Sequence, residues 1–296
     1  MSAPPVRIVT DSTAALPAAL RAAYPEIAVI PLTIHFGPAS YREGIDLEAA
    51  AFYSLLATSP HHPTTSQPSP GDFLAAYQPL LGEGHEVVSV HVSSLLSGTV
   101  ASAQAASEMA GGTVDVMDSQ SIGMGLGFIA LEGARLARAG GDRRSVLERM
   151  KAVREGISLF FLVDTLEYLR RGGRIGNAQA LVGSILKVKP ILAVRGGRIE
   201  LEEKVVSRKR ALARLLGLVE GARRSHPQAE FHLAVHEGGA PAEGKEMLDR
   251  LTESLQPVEA YCSPLGSALG VHAGPGLVGC VFYFEEEGRV LPAQIT

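Results

Sequence analysis

Cysteine is scarce in this chain of 296 residues: only Cys262 and Cys280 occur, and neither belongs to a CxxC pair. A disulfide framework and a structural zinc site are therefore not expected. Long apolar runs are missing too. The densest, Leu159–Val163, is far shorter than the ~20 residues that cross a bilayer. Met1–Pro5 leads directly into a strand pattern with no signal-peptide apolar core, so a cytoplasmic protein is expected. No GxSxG elbow is present, and no catalytic triad can be recognised. Gly123-Met124-Gly125-Leu126-Gly127 lacks the GxGxxG spacing of a dinucleotide fingerprint and falls in a helical pattern. Close helix packing or a narrow apolar channel suits it better.

Positive charge is absent where it would be most informative. From Glu43 to Glu132 there are ten acidic residues and not one lysine or arginine. An anion bound by that region has to be held by hydroxyls, backbone N–H groups and helix ends. Such donors suit a carboxylate better than a triphosphate, which usually takes Lys, Arg or a metal ion. Residues 135–224 reverse the balance. They hold 21 of the 27 basic side chains against nine acids, a local +12 in a chain of net −4. Such a surface fits an acidic or phosphorylated partner, although solvated faces of arginine-rich helices account for many of these charges.

Core material is ample, with 46% hydrophobic residues and enough length for two domains. Val6–Thr10, Ala28–Phe36, Val87–Val92 and Thr113–Met117 read as strands. Helical patterns cover Pro17–Tyr24, the stretch after Asp46, Gly71–Leu81, Ser97–Met109, Ser121–Ala139 and Arg143–Glu155, while Ser59–Pro70 reads as a loop. This alternation argues for a largely parallel sheet covered on both faces. From Ser158 the pattern changes. Ser158–Val163 is a strand, and Ile191–Val194 with Ile199–Glu202 reads as a hairpin about a glycine turn. Strands at Phe231–Val235 and Val278–Phe284 then mix with helices at Arg208–Glu220 and Ala242–Glu253. The expected fold class is α/β with two domains. Residues 1–157 form a mostly parallel α/β unit, and residues 158–296 an α+β unit with a largely antiparallel sheet.

Two hydroxyl-rich loops are the first candidates for chemistry: Thr64-Thr65-Ser66-Gln67-Pro68-Ser69-Pro70 and Ser93-Ser94-Leu95-Leu96-Ser97-Gly98-Thr99. Each precedes a helical pattern, where unpaired N–H groups and the helix dipole favour an anion. Singly, these residues read as caps and turn formers. Arg170-Arg171-Gly172-Gly173-Arg174-Ile175 suits a tight turn that aims a guanidinium, or a helix C-cap with solvated arginines. In His272-Ala273-Gly274-Pro275-Gly276 a histidine precedes a loop open to close approach. That imidazole either donates to a carboxylate, acts in proton transfer, or sits incidentally before the last strand. His232 and His236 share one strand face, but no third ligand is spaced to complete a metal site, and no metal is expected. The basic segment Lys204–Arg224 could face nucleic acid. Its Leu212, Leu215, Leu216 and Val219 are spaced for a core, and no helix-turn-helix signal accompanies them.

Seven motifs together resemble the DegV family, whose members include the fatty-acid-binding subunits of bacterial fatty acid kinase. They are Val9-Thr10-Asp11-Ser12-Thr13, Ile30-Pro31-Leu32, Thr65-Ser66-Gln67-Pro68-Ser69, the Ser93–Thr99 loop, Gly172-Gly173-Arg174-Ile175, Leu186-Lys187-Val188-Lys189-Pro190 and the His272–Gly276 loop. They recur in family order across nearly the whole chain. The resemblance implies one long-chain, palmitate-like fatty acid buried between two domains. It implies that Thr65 and a serine of the second loop hold the carboxylate: Ser94 first, with Ser66, Ser93 and Ser97 as neighbours. It also implies a subunit that is not itself an enzyme. A separate ATP-dependent kinase subunit would form the acyl phosphate, with Arg174 and His272 supporting phosphotransfer. No cofactor, no nucleic acid and at most transient membrane contact belong to this expectation.

One position departs from the family pattern. Val206 stands where the family commonly has an arginine implicated in kinase docking or phosphotransfer, and Arg208 or Arg210 could substitute from the same helix start. For a tail of about sixteen carbons, burial at ~0.8 kcal/mol per methylene yields ~10 kcal/mol gross. The tail would thus supply affinity and the hydroxyls direction. The alternative from another class is a stand-alone transferase or hydrolase acting on a small carboxylate or phosphate.

Overall fold

The computed structural model describes residues 4–181 and 188–292. In chain order the first half runs β1 (Val6–Asp11), α1 (Ala18–Ala23), β2 (Ile27–Ile30), β3 (Thr33–Phe36), β4 (Ala39–Arg42), α2 (Ala49–Thr58), β5 (Thr64–Ser66), α3 (Pro70–Gly82), β6 (Glu86–His91), α4 (Thr99–Met109), β7 (Val114–Asp118), α5 (Met124–Arg138) and α6 (Arg143–Gly156). Strands β2-β1-β6-β7 form a sheet that is parallel throughout. β6 is buried from Val87 to its end, as a strand covered on both faces must be. The chain leaves β1 toward β2 and comes back on the other side of β1 as β6. The loops after β1 and β6 therefore part at the carboxyl ends of adjacent strands, the place where open parallel sheets make a crevice.

Residues 28–36, expected as one strand, form two. Pro31 has no N–H to extend the ladder, and beyond it β3 leaves the parallel sheet for a small antiparallel one of order β4-β3-β5. β5 lies inside the expected 59–70 loop and sets Thr65 opposite Ile34. Helix starts follow local chemistry. Ser69 and Asp72 close a capping box on α3 with Pro70 in its first turn, and Asp142 accepts from Ser145 N at the start of α6.

The second half runs β8 (Ser158–Leu162), α7 (Glu167–Arg171), β9 (Lys189–Arg195), β10 (Arg198–Val205), α8 (Arg208–Ser225), β11 (Glu230–Gly238), α9 (Pro241–Leu255), β12 (Glu259–Pro264), α10 (Ser267–Ala273), β13 (Leu277–Glu286) and β14 (Arg289–Leu291). Its sheet has the order β10-β9-β8-β13-β11-β12, with β14 added to β13. Only the β11–β12 pair is parallel. Of the 186–190 motif, Leu186 and Lys187 lie outside the described residues.

The layers follow from strand alternation. Phe160 and Leu162 of β8, with Val278, Cys280 and Phe282 of β13, face α8 and α9. Leu159, Phe161, Val281 and Tyr283 point the other way, into a core shared with β1, β6, α5 and α6. On the far side of the parallel sheet, Phe73 and Tyr77 of α3 pack with Ala103 and Ala106 of α4. The order across the molecule is α3/α4, parallel sheet, α5/α6, large sheet, α8/α9. The division expected at residue 157 falls on the link between α6 and β8, yet one apolar core runs through it.

Candidate functional site

A cavity opens where the carboxyl ends of β1 and β6 meet the inner face of the large sheet. It holds about 820 Å³ of space free of protein atoms, its open mouth included. That is within the range of small-molecule sites. Its body is apolar: Leu159 and Phe161 of β8, Val281 of β13, Ile199 of β10, Leu169 of α7 and Leu269 of α10. Polar side chains on the wall are few among the described residues, namely Thr13, Thr65, Ser97, Arg174, His236 and His272.

Four of these gather at one end. Thr65 Oγ1 lies 3.0 Å from His272 Nε2. His272 occupies the last turn of α10, and burial, with Arg174 and His62 nearby, pushes its pKa down to about 4. The ring is therefore neutral at neutral pH. Its Nδ1 is buried without a partner among the described residues and faces Gly172, where a Cβ would come within 2.1 Å. An N–H at Nδ1 would be an orphan donor, which proteins avoid, so the proton belongs on Nε2. Nε2–H then donates to Thr65, whose own hydroxyl hydrogen is left for an acceptor in the cavity. Arg174 leaves the Gly172–Gly173 turn and crosses to the second loop, donating from Nε to the Leu96 carbonyl at 3.0 Å and from Nη1 to the Gly172 carbonyl. Ser97, one residue on, lines the cavity with its Oγ 2.8 Å from Thr99 Oγ1.

The other candidate hydroxyls point elsewhere. Ser94 is exposed and donates to Asp118 Oδ2. Ser93 is buried and donates to the Gly197 carbonyl at 2.8 Å, fastening the β9–β10 turn to the loop after β6. Ser66 pairs with His35 Nε2 at 2.8 Å on the outer side of β5. Of the hydroxyl candidates, the cavity thus brings together Thr65 and Ser97 but not Ser66, Ser93 or Ser94. Thr13 is an addition. It follows β1 as Ser97 follows β6, and strand order alone marks both as crevice positions.

His236 is the second addition. It accepts from Met124 N at 2.7 Å through Nε2 and donates from Nδ1 to the Ser263 carbonyl at 3.1 Å. Both nitrogens are used, so it shows the cavity only ring carbon. A Cβ at Gly123 would sit 2.5 Å from Nε2, which accounts for glycine at the start of α5. His232, on the same face, goes to Glu259 Oε1 at 2.6 Å and stacks on Tyr283. Among the described residues no three His, Cys, Asp or Glu side chains are grouped to hold a metal ion.

Burial also holds His236 down, at about 4 against an ordinary 6.5. Below 6.5 the unfolded chain takes up a proton that the native ring refuses, so stability is present above that value and is lost as pH falls toward 4. His236→Gln keeps one acceptor and one donor but cannot titrate. Urea unfolding at a series of pH values is expected to show the wild-type loss between pH 6.5 and 5 reduced by up to ~1.4 kcal/mol per pH unit. An unchanged slope would mean that His236 is not the buried neutral group.

One Ser-His-Asp arrangement exists that the sequence does not reveal. Ser89 Oγ is 2.6 Å from His91 Nε2, and His91 Nδ1 is 3.1 Å from Asp11 Oδ2. All three are fully buried, and Tyr77 donates its hydroxyl to Ser89 at 2.7 Å. No substrate reaches that oxygen, so the arrangement does not provide a hydrolase nucleophile.

Known proteins share both chain and fold. A family model described as "Uncharacterised protein, DegV family" matches residues 5–285. Protein DegV of Bacillus subtilis is 36% identical over 284 residues, covering 95% of this chain and 99% of that one. A DegV domain-containing protein of Streptomyces coelicolor is 40% identical over 278 residues, or 93% and 97% of the two chains. The crystal structure of DegV from Bacillus subtilis, a fatty acid binding protein, superposes with a TM-score of 0.87 at 34% identity, over 96% of this chain and 100% of that one. A fatty-acid-binding DegV family protein from Thermus thermophilus gives 0.86 at 33%, over 95% and 99%. With the parallel sheet, the mixed sheet and the cavity between them all in place, this chain belongs to the DegV family.

Proposed function

We propose that this protein binds one long-chain fatty acid and presents its carboxylate to a separate ATP-dependent kinase, which converts it to an acyl phosphate. The observation that carries this is the uneven polarity of the cavity, an apolar body with Thr65, Ser97, Arg174 and His272 together at one end. In this reading a palmitate-like tail lies along Phe161, Leu159 and Val281. The carboxylate takes hydrogen bonds from Thr65 and Ser97. Ser97 replaces Ser94 in that role because the Ser94 hydroxyl is committed to Asp118. Carboxylate burial is costly unless such donors replace water. His272 and Arg174 act on the phosphate side of the transfer, the imidazole through Thr65 and the guanidinium through the N–H groups that Leu96 and Gly172 leave unused. The protein is then a substrate-presenting subunit with no catalytic residue of its own.

The kinase would approach a surface where Val206 is exposed. Arg208 is tied to Glu243, to Asp164 and to the Gly276 carbonyl, so Arg210 is the better placed to meet a phosphorylated partner from that helix start. No described helix is long and apolar enough to cross a membrane. A cytoplasmic location with transient membrane contact, and two domains meeting near residue 157, complete the proposal.

Native mass spectrometry of the gently purified protein is expected to show a co-purified C16–C18 acid. Delipidated protein should rebind palmitate. Thr65→Ala with Ser97→Ala removes two charge-assisted hydrogen bonds worth about 1.5–3 kcal/mol each, so affinity should fall at least tenfold. Ser94→Ala should leave it unchanged. Equal affinity in the double variant, or no binding by the wild type, would overturn the assignment.

A further inference from the structure

Asp11 ends β1 with a fully buried carboxylate. Four donors converge on it. Oδ1 accepts from Thr13 N at 3.0 Å and from the Thr13 hydroxyl. Oδ2 accepts from Val92 N at 3.0 Å and from His91 Nδ1 at 3.1 Å. The two oxygens thus serve different loops. One caps the tight 3-10 turn at Ser12–Ala14 after β1, and the other holds the root of the loop after β6. Thr13 and Val92 both line the cavity, and Ser97 lies five residues beyond Val92 on the same loop.

Behind Asp11 the donors form a directed chain. Tyr77 donates to Ser89, Ser89 to His91 Nε2, and His91 Nδ1–H to Asp11. The chain ends in the core at a tyrosine with no exposure, so it leads no proton to solvent. It serves instead to fix the imidazole tautomer and so to keep a donor pointed at Oδ2. A buried carboxylate with this many matched donors is a rigid joint rather than a reagent.

We infer that Asp11 is a positioning residue for the head-group end of the cavity, fixing the root of the loop after β6, which carries Ser97, against the turn after β1. The inference rests on the fatty-acid reading given above. It predicts that Asp11 affects recognition of the carboxylate and not burial of the tail. Asp11→Asn keeps the shape but turns one acceptor into a donor. His91 can change tautomer to meet it, whereas Val92 N–H loses its acceptor.

The test compares palmitate with hexadecanol, which shares the tail and lacks the charge, on delipidated protein. Asp11→Asn is expected to weaken palmitate at least tenfold while hexadecanol changes less than twofold. His91→Asn, which still offers an N–H to Asp11, should keep the wild-type ratio of the two affinities even at a lower melting temperature. Ser89→Ala should keep it too. Loss of both ligands by one factor in Asp11→Asn would reduce the residue to a structural role and overturn the inference, as would a ratio shifted equally by Ser89→Ala. If Asp11→Asn does not fold, wild-type amide resonances give the answer. Palmitate should shift Val92 and Thr13 N–H together and hexadecanol should not, and equal shifts would overturn the inference. A wild-type protein that binds neither ligand would fail the fatty-acid reading itself and remove the inference with it.

Discussion

Arg149→Met is expected to lower stability by about 3 kcal/mol, the low end of the loss when one partner of a buried ion pair is removed, because Arg149 and Glu285 are only partly buried. Arg149 sits on α6 and reaches both Glu132 of α5 and Glu285 of β13. Glu132 is 5% exposed and also accepts from Arg135, which in turn donates to Glu259 of β12. The set joins the helical layer to the large sheet with three carboxylates and two guanidiniums. Methionine fills similar space but leaves Glu285 with no cation, and the protein must then bury a charge or force a proton onto it. Urea unfolding at neutral pH measures the effect. A loss under 1 kcal/mol would mean that water already screens the set. Adding Glu132→Gln and Glu285→Gln should restore part of the loss by removing the stranded charges.

The same set sets part of the acid limit. Burial alone would raise Glu259, but hydrogen bonds from His232, Arg135 and Tyr261 outweigh it and hold the carboxyl at about 2. A depressed acid stabilises the fold above its ordinary value and loses that contribution as pH falls from 4.5 toward 2. The buried histidines act at higher pH, so acid unfolding has two separable origins.

Gly172→Ala is the functional counterpart. The added Cβ would lie 2.1 Å from His272 Nδ1, so the ring has to leave Thr65. The backbone at Gly172 is ordinary helical, with φ −73°, and stability should change little. Under the proposed function, palmitate affinity is carried mainly by the tail and should fall less than tenfold. Acyl phosphate formation with the proposed kinase partner should fall about 100-fold, the scale of a misplacement of roughly 1 Å. Gly173→Ala is the control. Its φ of +69° makes any side chain strained, yet no atom lies within 4 Å of the added Cβ. If both variants lose turnover equally, turn strain and not the imidazole is responsible.

Much of this architecture was legible because it is local. Alternating apolar strands and capped helices announced a parallel sheet and then a hairpin-rich half, and α5, α6 and α8 lie close to their expected places. What escaped depends on distance along the chain. β12 reads Glu-Ala-Tyr-Cys-Ser-Pro with little strand propensity, and it is held by pairing with β11. α10, at seven residues, is too short to announce itself, so His272 looked like part of a loop. Thr65 stood out by its hydroxyl neighbours. Which serine faces the cavity did not, because the choice among Ser93, Ser94 and Ser97 is made by Gly197, Asp118 and Thr99, and only the last is near in sequence. Asp11 is within reach of its own turn, which it caps through Thr13 N, but its second oxygen works for a loop about eighty residues away, which no local pattern shows.

The cavity has no single owner. Thr65 comes from the three-stranded sheet, Ser97 from a loop of the parallel one, Phe161 and Ile199 from the large sheet, and His272 from a helix between strands. Ligand preference is therefore not modular. Grafting residues 64–99 onto another scaffold would transfer hydroxyl groups without the wall that gives them a direction. Exchanging either half between relatives would pair Thr65 and Ser97 from one parent with Arg174, His272 and most of the apolar wall from the other. In such chimaeras selectivity should be inherited from neither parent.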